Sequence, residues 1–128
     1  MSRRILIIDD EAAIREVTSA TLETINGWTV LSAESGKRGL EMAAAGRPDA
    51  ILLDVMMAEM DGPQTLNRLQ SSPATRDIPV LFLTAKVQAE DVRRFQASGA
   101  KAVIAKPFDP LRLGRDIANA LGWEEKPI

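Results

Sequence analysis

The sequence has no cysteine and no histidine. Without thiols there is no disulfide framework and no thiolate zinc site, and without imidazole there is neither that metal ligand nor that base. An excess of one charge is also missing, because 16 Lys and Arg stand against 18 Asp and Glu for a formal net charge of -2. No direct nucleic-acid binding is therefore expected. No apolar run approaches a bilayer-spanning length, so membrane insertion is not expected. Ser2-Arg3-Arg4 followed by Ile5 to Ile8 is too short for a signal-peptide core and runs into Asp9-Asp10. A cytoplasmic chain is the expectation. Internal repeats and low-complexity segments are absent too. Any chemistry must come from carboxylates, hydroxyls and lysine.

What is present is the composition of one ordinary domain: 128 residues, 45% of them hydrophobic and 27% charged. Ile5 to Ile8, Ala50 to Leu53 and Val80 to Leu83 are apolar at every position, which suits strands buried on both faces. Thr29 to Ala33 is more polar and reads as a sheet edge, and Ala102 to Ala105 reads as a fifth strand. Helical spacing separates them. Ile14, Val17, Leu22 and Ile25 form one stripe ending at Asn26-Gly27, and Leu40, Ala43 and Ala44 form another behind the cap Ser35. Leu66 and Leu69, then Val92 and Phe95, then Leu113, Ile117 and Leu121 mark three more helices, the last stopped by Gly122. Strands alternating with helices predict an α/β fold: a parallel sheet covered on both faces by right-handed crossovers. The expected boundaries are one domain over 1–122 and a short tail over 123–128.

In such a sheet the C-terminal strand ends share one edge, where ligands bind. That edge collects Asp9 and Asp10 after the first strand, Asp54 after the third, Thr84 after the fourth and Lys106 after the fifth. Singly, each has a plain explanation: an Asp caps a helix or turn, Thr is a strand residue, and Lys-Pro is a surface turn. Their conjunction points further. Clustered carboxylates repel and lose hydration unless a cation neutralises them, and Mg²⁺, which takes oxygen ligands and keeps several waters, is the natural candidate. Lys106 can then meet an anionic oxygen and Thr84 can donate to another. Phosphoryl transfer needs this set, with a carboxylate able to act as acceptor. Asp54 stands alone on the middle strand and is best placed for that.

Asp9-Asp10, Asp54 with Met57 and Met60-Asp61-Gly62 behind it, Thr84-Ala85 and Lys106-Pro107-Phe108 together resemble the receiver domain of two-component response regulators, over essentially the whole chain. The resemblance implies a flavodoxin-like, doubly wound five-stranded parallel sheet with strand order 2-1-3-4-5. It implies that Asp54 accepts a phosphoryl group from a histidine of a partner kinase or histidine phosphotransfer protein, and that the domain catalyses only its own phosphorylation and dephosphorylation. Mg²⁺ would be held by Asp10, Asp54 and the backbone carbonyl of Met56, with Asp9 acting largely through water. Thr84 and Lys106 would hold phosphoryl oxygens, and the Lys106-Pro107 bond would be cis. The switched, protein-binding surface would be the face of the fourth helix, fifth strand and fifth helix, to which Arg93, Arg94 and Lys101 are candidate contributors.

Two positions depart from the family pattern. Val103 stands where an aromatic residue follows the strand-four hydroxyl inward, which weakens that half of the switch. Ala58 replaces the usual Pro in the loop after the acceptor. Met56 and Lys86 flank the pocket, and an apolar Met56 is expected to disfavour attack by water. Other readings are a receiver fragment of a larger regulator or hybrid kinase and a phosphorylation-independent scaffold, although the acidic pair, Asp54 and Lys106 are all retained. A haloacid-dehalogenase-type phosphatase would carry Asp-x-Asp after its first strand, where this chain has Asp-Asp-Glu. A flavodoxin-like cofactor binder would need a phosphate-cradling loop there instead.

Overall fold

Five strands, β1 (Arg4–Ile8), β2 (Thr29–Ala33), β3 (Ala50–Asp54), β4 (Val80–Thr84) and β5 (Ala102–Ala105), alternate with five helices, α1 (Ala12–Asn26), α2 (Gly36–Gly46), α3 (Gly62–Gln70), α4 (Ala89–Ala97) and α5 (Pro110–Leu121). The structure, a computed structural model, describes residues 3–123. All strand pairs are parallel, in the order β2-β1-β3-β4-β5. The residues expected to form the tail from 124 onward lie outside the described residues. No helix among the described residues is long and apolar enough to cross a membrane.

The unbroken apolar runs have a direct cause in the layers. Leu6, Ile8, Ile51, Leu53, Val80 and Phe82 face one way, into a core closed by Ala43 of α2, Leu66 and Leu69 of α3 and Phe95 of α4. Their alternates Ile5, Ile7, Ala50, Leu52, Leu81 and Leu83 face the other, against Leu22 of α1 and Leu113, Ile117 and Ala118 of α5. Because successive side chains point to opposite faces, a strand covered on both sides has no polar position left. The edge strand β2 does, with exposed Thr29 and Ser32.

Two helical stripes differ from their sequence reading. In α1 the buried residues are Thr18 and Leu22, while Val17 and Ile25 are exposed, because α1 packs between sheet and α5 along the line through Thr18 and Leu22. In α2 the buried face is Gly36, Gly39 and Ala43, and Ala44 is exposed. A Cβ at Gly39 would collide with the Ile8 side chain, so α2 approaches β1 through its glycine.

The loops that carry the site are fixed locally. Asp61 accepts the Gln64 backbone N–H at 2.9 Å while the Gln64 side chain accepts the Asp61 N–H at 3.0 Å, a capping box that starts α3. Gly62 donates to the Val55 carbonyl at 2.9 Å. A Cβ there would stand 2.7 Å from both the Asp54 carbonyl oxygen and the Val55 Cα, which explains the glycine behind Asp54. Glu59, in the same loop, has φ +66°.

Candidate functional site

Strand register sets the site. Asp54 pairs with Leu83 and Thr84 with Ala105, so the ends of β3, β4 and β5 lie side by side. Val55 N–H continues the β3–β4 ladder to the Leu83 carbonyl at 3.1 Å, and Lys106 N–H continues the β4–β5 ladder to the Thr84 carbonyl at 3.0 Å. Past β1, Asp9 is still tied to the sheet through its N–H to the Ala33 carbonyl at 3.1 Å. Asp9, Asp54 and Thr84 are buried, whereas Asp10 and Glu11 are exposed.

The acidic residues converge. One carboxylate oxygen from each of Asp9, Asp10, Glu11 and Asp54 lies within 4.8 Å of the others. Lys106 Nζ, on a side chain only 15% exposed, stands 2.8 Å from Asp9 Oδ2, 3.2 Å from Asp54 Oδ1 and 3.5 Å from Glu11 Oε1. Asp9 Oδ2 is buried and meets the Lys106 ammonium at 2.8 Å. Such an oxygen has lone pairs to offer a cation. The Lys106-Pro107 bond is cis.

Charge is out of balance here. Burial first, and the Asp9 charge second, push the Asp54 carboxyl from 3.8 up to about 6, against the pull of Lys106 and the Met56 N–H. Burial alone would lower the Lys106 ammonium, but the hydrogen-bonding and charge of Asp9 and Asp54 outweigh it and hold the group above its ordinary value. One ammonium thus serves several carboxylates, and the deficit is what a divalent cation would fill. The donors are all oxygen, which suits a hard ion such as Mg²⁺ and not a thiolate- or imidazole-seeking metal.

Each residue expected from sequence is at this edge, with different partners. Asp9 does not cap the first helix, whose N-cap is Glu11 without a side-chain cap bond; its Oδ1 accepts the Glu11 N–H at 2.9 Å in the turn before α1, and its other oxygen faces Lys106. Thr84 Oγ1 accepts the Lys86 N–H at 3.0 Å and makes no hydrogen bond to Asp54 among the described residues. Met56 N–H reaches Asp54 Oδ1 at 3.4 Å. Two contributors were missed. Glu11 joins the acidic group, and Arg15 Nη1 donates to the Asp9 carbonyl at 2.7 Å, holding the acidic turn onto α1. The third consecutive acid was the available signal for Glu11. Arg15 gave none, as it looked like any solvated residue off the stripe.

The family model described as response regulator receiver domain matches residues 5–118. The response regulator MprA of Mycobacterium ulcerans is 42% identical over 108 residues, covering 84% of this chain and 45% of that protein. The phosphate regulon transcriptional regulatory protein PhoB of Escherichia coli is 42% identical over 113 residues, covering 88% and 49%. The chain spans about half the length of the curated relatives it matches. Among solved structures, the chemotaxis response regulator CheY4 of Vibrio cholerae superposes with a TM-score of 0.87 at 29% identity, over 94% of this chain and 99% of that one. The N-terminal domain of a response regulator receiver protein from Methanoculleus marisnigri gives 0.76 at 40% identity, over 95% and 98%.

Proposed function

The chain belongs to the response regulator receiver family, and on that premise we propose that it is a cytoplasmic protein whose phosphoacceptor is Asp54, taking the group from a histidine of a partner kinase or histidine phosphotransfer protein. The observation that carries this is the buried Asp54 carboxylate, 3.2 Å from Lys106 Nζ and inside a group of four acids. In the transfer an Asp54 carboxylate oxygen attacks phosphorus in line, the P–N bond to the donor imidazole breaks, its electron pair stays with the imidazole, and an acyl phosphate forms.

Asp10 and Asp54, with the Met56 carbonyl, are the residues proposed to hold Mg²⁺, and Asp9 acts through water. When bound, the ion neutralises carboxylate and phosphoryl oxygens together. Lys106 is already inside the pocket and needs only to exchange a carboxylate partner for a phosphoryl oxygen. Thr84 has a hydroxyl hydrogen to donate while its oxygen accepts from Lys86. Turning toward a phosphoryl oxygen would give up that bond and release the β4–α4 loop. The proposed output is a protein-binding surface on α4, β5 and α5, where Arg93 and Lys101 are exposed; residues 1–122 are taken as the receiver unit. Trp123 lies against Trp28 at 5.6 Å between ring centroids.

Incubation with a small acyl phosphate and Mg²⁺, read by intact mass, should add one phosphoryl group to wild type and none to Asp54→Ala. Equal labelling of the variant would remove Asp54 from this role.

A further inference from the structure

With no cysteine in the chain, a peroxide meets no thiolate, and the methionine thioethers are the next groups on the oxidation ladder. They are not equally open. Met42 and Met57 are half-buried against the core, and Met60 is half-buried, its sulfur close to Gly36. Met56 is 67% exposed. It also stands two residues beyond Asp54, with its N–H on Asp54 Oδ1 at 3.4 Å. It helps line a cavity of about 470 Å³ with Val55, Met57, Pro63, Phe95 and Lys86, whose N–H is on Thr84 Oγ1. The walls of this cavity are thus tied to Asp54 and Thr84, two of the residues proposed to engage the phosphoryl group.

We propose that Met56 is a peroxide-sensitive modification site whose sulfoxide shortens the life of the phosphoryl group on Asp54. The lifetime half of this statement rests on the phosphoacceptor reading. In the modification a sulfur lone pair attacks one peroxide oxygen, the O–O bond breaks, an S–O bond forms, and the remaining oxygen leaves as water after proton transfer. Sulfur is oxidised by two electrons and the peroxide is reduced. The product replaces an apolar, polarisable thioether with a strong hydrogen-bond acceptor on an exposed side chain two residues beyond Asp54. An acceptor there can hold the attacking water, and one hydrogen bond gained only in the transition state corresponds to about fivefold in rate.

The test treats wild type and Met56→Leu with limited hydrogen peroxide, maps sulfoxide by peptide mass, and follows loss of phosphoryl after loading with an acyl phosphate, each protein being compared with its own untreated sample. Met56 should oxidise ahead of Met42, Met57 and Met60. Treated wild type should lose phosphoryl about fivefold faster, treated Met56→Leu at its untreated rate, and methionine sulfoxide reductase should restore the wild-type rate. Oxidation of Met56 no faster than the half-buried methionines would overturn the site, and equal acceleration in Met56→Leu would overturn its effect. If Asp54 takes no phosphoryl group at all, the phosphoacceptor reading and the lifetime effect fall together, while the oxidation order still decides the site.

Discussion

At neutral pH the Asp54 carboxylate is ionised against its surroundings: burial and the Asp9 charge raise its pKa from 3.8 to about 6. A folded carboxyl that binds its proton more tightly than the unfolded one makes the folded state lose stability as pH rises through that interval, with the full loss present above it. The difference corresponds to on the order of 3 kcal/mol. Asp54→Asn, measured by urea unfolding without divalent cation, should therefore be more stable than wild type near pH 7.5, by on the order of 2–3 kcal/mol, and lose that advantage as pH is lowered through the same interval. A constant difference across pH would mean that charge is not its source. Met56 carries a second prediction at this scale. Its exposed, apolar side chain gives water no hydrogen bond, so Met56→Asn should hydrolyse the phosphoryl group faster than wild type, by about fivefold. An unchanged or longer lifetime in the variant would reject it.

Among the elements, the β3–α3 loop joins Asp54 to α3. Gly62 sits so close that a Cβ would stand 2.7 Å from the Asp54 carbonyl oxygen. Backbone on both sides cannot yield easily, so Gly62→Ala should cost roughly 1–3 kcal/mol and slow phosphorylation of Asp54, as thermal unfolding and intact mass would register. Stability and labelling rate both at the wild-type level would show the loop to be more compliant than its packing. The elements themselves were readable because unbroken apolar runs, the stops at Gly27 and Gly122, and the Ser35 cap all agree with the fold, whereas the Asp61 capping box emerges only in the structure. The faces were less so. Thr18 and Gly39 are buried contacts that a hydrophobic pattern cannot reveal, since one is polar and the other has no side chain. At the site, Asp9, Asp10, Asp54, Thr84 and Lys106 could be read because each ends a strand or follows one within two residues. Glu11 and Arg15 lie beyond a strand end and reach back by side-chain length, which spacing does not encode.

Taken as one molecule, the sheet brings residues from β1, β3, β4 and β5 to one edge, where Asp9, Asp54 and Thr84 are buried and Asp10 and Glu11 are exposed. An ion held only by the folded arrangement stabilises the whole domain by mass action, about 2.7 kcal/mol at one hundred times its dissociation constant. Mg²⁺ should therefore raise the unfolding temperature of wild type, and the rise should shrink in Asp10→Asn. An equal rise in both would place the ion elsewhere. Val103, half-buried on the edge strand opposite Phe82, leaves β5 without an aromatic lever. The Lys86 N–H on Thr84 Oγ1 ties the start of the β4–α4 loop to the site. The central claim is that Asp54 becomes an acyl phosphate. Borohydride reduces an acyl phosphate to an alcohol and leaves free carboxylates alone, so treatment of the phosphorylated protein followed by peptide sequencing should find homoserine at position 54 and nowhere else. Homoserine at Asp9, Asp10 or Glu11, or aspartate intact at 54 in a protein that carries phosphoryl, would contradict the account.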